Sequence, residues 1–381
     1  MSQASFLDLP TEILQEIFQL ARLHLSVLFQ LAFSCQRLHH ICLSAYLKQI
    51  GLPNPEERIV ISMPFFPEDH SLLKVLIASP NITSTSHFRC RFARGSAAAE
   101  TVLLEQIKQI RTLLSRLSLK DVVVLDFDPE PQPYNPSGKV LLEFAAELGL
   151  LLNTIIERGC LSLEIKGLRH LKDTYELTNA SDSTICPTVK LEDHAFMRKV
   201  KDIFRGTKHE PPPAQTEQSP PKNVLSGSTW TYKLARFHSH LVLVHVSPQA
   251  RSKSRLTSLT IASESLLSPP LLQWTCDILS VSPMTRLTLC DMEISIPFWN
   301  ILPKLLSEAV PSLSHLTISN MKFMTTHFHV ASLMSSFPRL ETFSAEGLPL
   351  PDIAPLFGPE RVSVEGFPYF KRLRYRRVQD S

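Results

Sequence analysis

LTSLTI at residues 256–261 returns as MTRLTL at 284–289, as LSHLTI at 313–318 and as LETFSA at 340–345. Each copy places apolar residues at offsets 0, 3 and 5: Leu256, Leu259 and Ile261; Met284, Leu287 and Leu289; Leu313, Leu316 and Ile318; Leu340, Phe343 and Ala345. The copies start 28, 29 and 27 residues apart, a near-constant period that marks one supersecondary unit used repeatedly. Helix-like stretches near 271–279, 298–309 and 328–336 fall between them, so each unit reads as a short strand followed by a helix. Cys160, Leu163, Ile165 and Leu168 fit offsets 0, 3, 5 and 8, and Val122, Leu125 and Phe127 fit the first three.

This pattern resembles a degenerate leucine-rich repeat of the longer, helix-containing kind. The resemblance implies an α/β solenoid in which each unit lays one strand beside the last in a parallel sheet and returns through a helix outside it. The family's Asn or Cys at offset 8 is replaced by Met292, Met321 and Leu348, so the usual side-chain ladder in the turn is absent. Because strand side chains alternate between faces, offsets 2 and 4 face the concave side. They supply Arg286, His315, Thr288 and Thr317 as candidate target-binding residues, flanked by Ser258, Thr260, Thr342, Ser344, Ser162 and Glu164. Stacked hydroxyls on neighbouring strands also stabilise a sheet without any ligand, and the irregular intervals 122–160 and 160–256 leave a conventional α/β sheet as the alternative fold.

Outward from the repeats, helical stretches at 71–78, 100–117 and 139–156 alternate with β-type runs at 58–63, 87–92, 122–127 and 161–165. Residues 207–228, TKHEPPPAQTEQSPPKNVLSGS, are nearly without apolar side chains and read as a disordered insertion, with Ser219-Pro220 a weak phosphorylation candidate. LVLVHV at 241–246 reads as a strand. KRLRYRR at 371–377 opens a basic C-terminal tail, 371–381, that reads as a solvated end, an importin-type signal or a phosphate patch.

The first fifty residues are different. LPTEILQEIFQLARLHLSVLFQLAFSCQRLHHICLSAY at 9–46 carries three apolar helical stripes: Ile13, Leu14, Ile17, Phe18 and Ala21; Val27, Leu28, Leu31, Ala32 and Cys35; Leu38, Ile41, Cys42, Ala45 and Tyr46. Pro10 suits a helix start and Glu12 suits the dipole of the first turn. Leu9, Pro10, Glu12, Ile13, Leu14, Ile17 and Phe18, followed by Leu28, Leu31, Cys35, Gln36 and Arg37, resemble an F-box, the module that docks a substrate receptor onto the Skp-type adaptor of a cullin-RING ubiquitin ligase. Leu38 departs from the family's Trp, and 21–25 departs from its Leu-Pro-Pro connection. The resemblance implies adaptor contacts through Leu9, Pro10, Ile13, Ile17, Leu28 and Leu31, with Cys35 and Leu38 internal. The alternative is a helical cap packed wholly on the rest of the chain.

Composition agrees with a folded binding protein. Of 381 residues, 44% are hydrophobic and 20% charged, which is globular. The absence of an 18-residue apolar run and of a basic, then greasy, N-terminus predicts an intracellular protein, cytoplasmic or nuclear, without membrane contact. Seven scattered cysteines without a C-x-x-C pair predict reduced packing thiols. A net charge of +3 makes nucleic acid an unexpected partner. With only 11 glycines and no phosphate-binding fingerprint, no cofactor is expected. Asp126, Asp128 and Glu130 after a strand are the one metal-site candidate, and they lack the accompanying groups of a metal enzyme, so no metal and no catalytic residue is expected. The histidines, His238, His240, His245, His327 and His329 among them, have no ligand-type spacing. The expected organisation is an F-box at 4–50, a repeat domain at 56–370 and the basic tail. The expected role is a non-catalytic substrate receptor of an SCF-type ligase that binds an unidentified protein; a non-ligase scaffold and a metal-dependent α/β enzyme are the alternatives.

Overall fold

Eight strands pair side by side in the order in which the chain makes them, all parallel: β1 (Arg58–Ser62), β2 (Ser84–Arg91), β3 (Ser118–Asp126), β4 (Ser162–Lys166), β8 (Ser258–Ala262), β9 (Arg286–Cys290), β11 (His315–Ser319) and β13 (Thr342–Glu346). The computed structural model describes residues 9–21, 23–63, 71–92, 99–127, 138–168, 175–179, 189–190, 230–234, 244–268, 270–294, 306, 309–310, 312–323, 337, 339–346, 362–365 and 372–376. The fold is α/β, with helices α1 (Thr11–Leu20), α2 (Leu25–Ser34), α3 (Gln36–Gln49), α4 (Ser71–Ala78), α5 (Ala99–Leu114), α6 (Gly138–Glu157), α7 (Pro248–Lys253) and α8 (Leu272–Val281). The insertion 207–228 and the helix-like stretch 328–336 lie outside the described residues.

The repeat offsets correspond to actual pairing. Leu163, Leu259, Leu287, Leu316 and Phe343 form one ladder across five strands, and Ile165, Ile261, Leu289, Ile318 and Ala345 form the next. Alternation drives the described members of both rows into the core. At the strand entrances a second regularity appears. The carbonyls of Leu161, Thr257, Thr285 and Ser314 each accept two backbone N–H groups from the following strand, as Leu161 does from Thr257 and Ser258. The side chains of Thr257, Thr285 and Ser314 donate to the same carbonyls at 3.2 to 3.3 Å.

Several expectations are corrected. The sheet is not a uniform solenoid: 96 residues separate the paired positions at the β4–β8 step against 28 and 29 at the next two, and β13 is followed by β15 (Arg372–Arg376) and β14 (Val362–Glu365), both antiparallel pairings. Arg372–Arg376 of the expected basic tail are therefore strand β15, and the rest of 371–381 lies outside the described residues. Val122, Leu125 and Phe127 are two residues out of frame, because Val123 pairs with Leu163 and Leu125 with Ile165; Leu125 and Phe127 stay inside in either frame, while Val123 is buried and Val122 is half-buried on the opposite face, paired with Ser162. Residues 244–246 are not a strand. Val244 instead packs where Gly149 leaves room on α6, since a Cβ there would lie 2.2 Å from Val244 Cγ1.

The turns after the strands use left-handed backbone. Gly167, Leu168, Asp291 and Asn320 have φ of 79°, 61°, 54° and 50°, and Asn320 Nδ2 donates to Asp291 Oδ1 at 3.2 Å. Gly167 is required, since a Cβ would meet the Phe127 carbonyl oxygen at 2.2 Å. Two short parallel strands follow these turns, β10 (Glu293–Ile294) and β12 (Lys322–Phe323). A separate three-stranded sheet joins β5 (Tyr175–Asn179), β7 (Trp230–Leu234) and β6 (Val189–Lys190).

Candidate functional site

The front module is built around α3. Cys35, extended at φ −157° and ψ 160°, ends α2 and begins α3 within one residue, and its sulfur accepts the Leu38 N–H at 3.5 Å. This sharp joint folds α2 back on α3. Leu28 and Ala32 of α2, Leu14 and Phe18 of α1, and Leu38, Ile41, Cys42, Leu43, Tyr46 and Leu47 of α3 are buried in a core continuous with the sheet. His39 Nδ1 meets the Ala32 carbonyl at 2.9 Å, Arg37 donates to the Leu9 carbonyl, and His40 meets Asn81 of the sheet domain at 2.6 Å.

The wide stripes therefore divide. Leu14 is inside and Ile13 is 43% exposed; Leu28 is inside at 1% and Val27 is 39% exposed. Leu28 is corrected from a partner-facing residue to a core residue, because it lies on the side of α2 that meets α3. Pro10 and Ile13 are exposed, and Leu9, Ile17 and Leu31 are half-buried at the margin of the core. Leu20, Leu25 and Phe33 are exposed large hydrophobics that the stripes did not single out. Phe33 had a visible signal, its four-residue spacing from Phe29, and the two rings lie 4.8 Å apart between centroids. Cys35 is half-buried and Leu38 buried.

The four sheet-face candidates are brought together. Arg286 pairs with His315 and Thr288 with Thr317 on adjacent strands. Arg286 is exposed and the other three are half-buried. His315 Nδ1 lies 2.5 Å from Thr342 Oγ1. The hydroxyl row Thr260, Thr288, Thr317 and Ser344 is continuous in register. Cys290, one residue pair further along, is half-buried on the same face, and burial followed by Asp291 pushes its thiol up to about 11.

A charged quarter of that face escaped the sequence reading. Arg89 donates to Asp126 Oδ2 at 2.9 Å, and Arg91 Nε lies 3.5 Å from the same oxygen. On β4, Lys166 meets Glu164 at 2.8 Å; its pKa is raised first by that hydrogen bond. Asp126 thus serves two guanidinium groups; Asp128 and Glu130, the other members of the acidic candidate, lie outside the described residues. Among the described residues no group of three or more His, Cys, Asp or Glu could hold a metal ion. His245 has a carboxylate partner, Asp277 at 3.3 Å, which also accepts from Gln273, one turn earlier on α8, at 2.7 Å; the first ties two segments together and the second lies within one helix. His238, His240, His327 and His329 lie outside the described residues.

No protein-family model matches the chain, and a search of curated proteins finds no match either. Among the described residues no helix is long and apolar enough to cross a membrane.

Proposed function

We propose that the chain is the target-recognition subunit of an SCF-type ubiquitin ligase: residues 9–50 act as an F-box on a Skp-type adaptor, and the sheet domain, a degenerate leucine-rich-repeat array, holds a protein target. One observation carries the reading. Among the described residues the exposed large hydrophobics are Ile13, Leu20, Leu25, Val27, Phe33 and Leu150, and all but Leu150 sit on α1 and α2. Covering the remaining half of each is worth roughly 1 kcal/mol, and such a concentration marks an interaction surface. The in-register apolar ladders and the repeated strand-entrance hydrogen bonds support the repeat reading of 160–345.

The receptor makes and breaks no bond itself. It raises the local concentration of a target lysine beside the charged conjugating enzyme, a proximity effect. Co-purification of the full chain with the adaptor tests this. Capture is expected for the wild type and is expected to disappear on Leu9→Ala with Pro10→Ala while the melting temperature is kept. Failure of the wild type to capture the adaptor, or unchanged capture by the double variant, overturns the proposal. Capture without cullin recruitment or target turnover selects the scaffold alternative.

A further inference from the structure

The polar face of the first four strands differs from the hydroxyl-lined remainder. Val60, Val122 and Val124 are half-buried there, and Arg89 pairs in register with Val60 on one side and Val124 on the other. Arg58 and Arg91 are exposed at the two ends of this patch, the side chain of Arg91 by 56%. Arg58, Arg89, Arg91 and Lys166 stand around the carboxylates of Asp126 and Glu164 on this face, with exposed Lys120 and half-buried Asp121 at the entrance of β3. A guanidinium has five donors, and the single Asp126 oxygen shared by Arg89 and Arg91 leaves donors of Arg91 facing solvent.

We propose that this quarter-face docks an acidic peptide segment with interspersed aliphatic residues: carboxylates take up the arginine donors, and aliphatic side chains cover the valines. This inference rests on the reading of the sheet domain as the target-binding part. Charge complementarity of this kind supplies specificity and association rate. A nucleic-acid strand is disfavoured by the same geometry. Asp126 and Glu164 interrupt any path for a phosphate backbone, and among the described residues His87, in register between Arg58 and Val122, is the one ring on an otherwise aliphatic floor, short of the succession of aromatic platforms on which bases stack.

Fluorescence anisotropy with the full chain tests it, using a fluorescein-labelled peptide of Glu, Asp, Leu and Val and a matched peptide with Lys in place of the acids. The acidic peptide is expected to bind, more weakly at higher salt, and the Lys peptide to bind poorly. Arg58→Glu with Arg91→Glu should weaken binding by at least about tenfold, since both side chains lie on the contact, while Lys253→Glu, exposed at the end of α7 and away from the patch, stays within about twofold, as a screened distant charge should. Arg58→Gln with Arg91→Gln is the milder pair if the reversal unfolds the chain. Absence of binding to the acidic peptide, equal binding of the Lys peptide, unchanged affinity of both double variants, or stronger binding of a single-stranded oligonucleotide that displaces the peptide overturns the proposal. Adaptor capture, measured on the same variants, is expected to be unchanged, so loss of the peptide site and loss of the front-module reading give different results.

Discussion

Asn153 holds three segments at once. Its Nδ2 donates to the His245 carbonyl at 3.0 Å, and its Oδ1 accepts from Ser247 N at 3.3 Å and from Trp274 Nε1 at 3.0 Å. Trp274 is fully buried, so Asn153→Ala strands an indole N–H and two backbone groups; a loss of about 3 kcal/mol is expected, read as a lower urea midpoint. Cys160 and Cys276 make a second residue-scale prediction. Burial pushes both thiols up to about 12 from an ordinary 9.0. A raised acid pKa means the unfolded chain loses its protons first, so their stabilising contribution is complete below pH 9 and is lost as pH rises toward 12. The melting temperature should fall over that window, and less steeply in Cys160→Ala. The Asn153 contacts were not legible beforehand: Asn153 and Trp274 are 121 residues apart, and nothing local distinguishes an Asn exposed on a helix from one that ties down a distant segment, whereas the scattered cysteines already read as packing thiols and Cys160 and Cys276 are free and buried.

At the scale of elements, α1 and α2 each present adjacent apolar residues of opposite fate. Leu28→Ala is expected to cost about 2–5 kcal/mol, the usual penalty for truncating a core leucine, whereas Ile13→Lys with Val27→Lys should leave the melting temperature within a degree or two and abolish adaptor capture. If the lysine pair unfolds the module instead, those side chains are packed rather than presented. Helical periodicity showed where the stripes lie. It could not say which edge of a wide stripe meets α3, because that depends on the turn at Cys35 and the crossing of α2 over α3. The same limit explains the frame of β3: Val122, Leu125 and Phe127 satisfy the apolar offsets, and only the pairing of Val123 with Leu163 decides between two frames that are equivalent in period.

For the whole molecule, the closing antiparallel strands matter. Thr342, Ser344 and Glu346 of β13 pair with Arg376, Arg374 and Arg372 of β15, so β15 covers what would otherwise be the edge of the parallel sheet. Removing residues 371–381 should lower the thermal midpoint and raise light scattering, because a bare strand edge templates aggregation; a solvated tail would leave both unchanged. Core continuity has a further consequence. Leu43, Leu47 and Leu52 share one apolar cluster with Ile59 and Ile61 of β1, so the front module and the sheet should melt in a single calorimetric transition.

The order of amino acids determined on its own the alternation of strands and helices, the period of the last four units and the existence of three greasy helices, because these depend on spacings of two, three and four residues that local backbone geometry imposes. Tertiary structure alone decided which stripe residues are presented, that Arg89 and Arg91 converge on Asp126, and that the basic run becomes a strand. Those outcomes rest on contacts between segments far apart in the chain, and a side chain's burial or charge partner is a property of the packed assembly rather than of its neighbours in sequence.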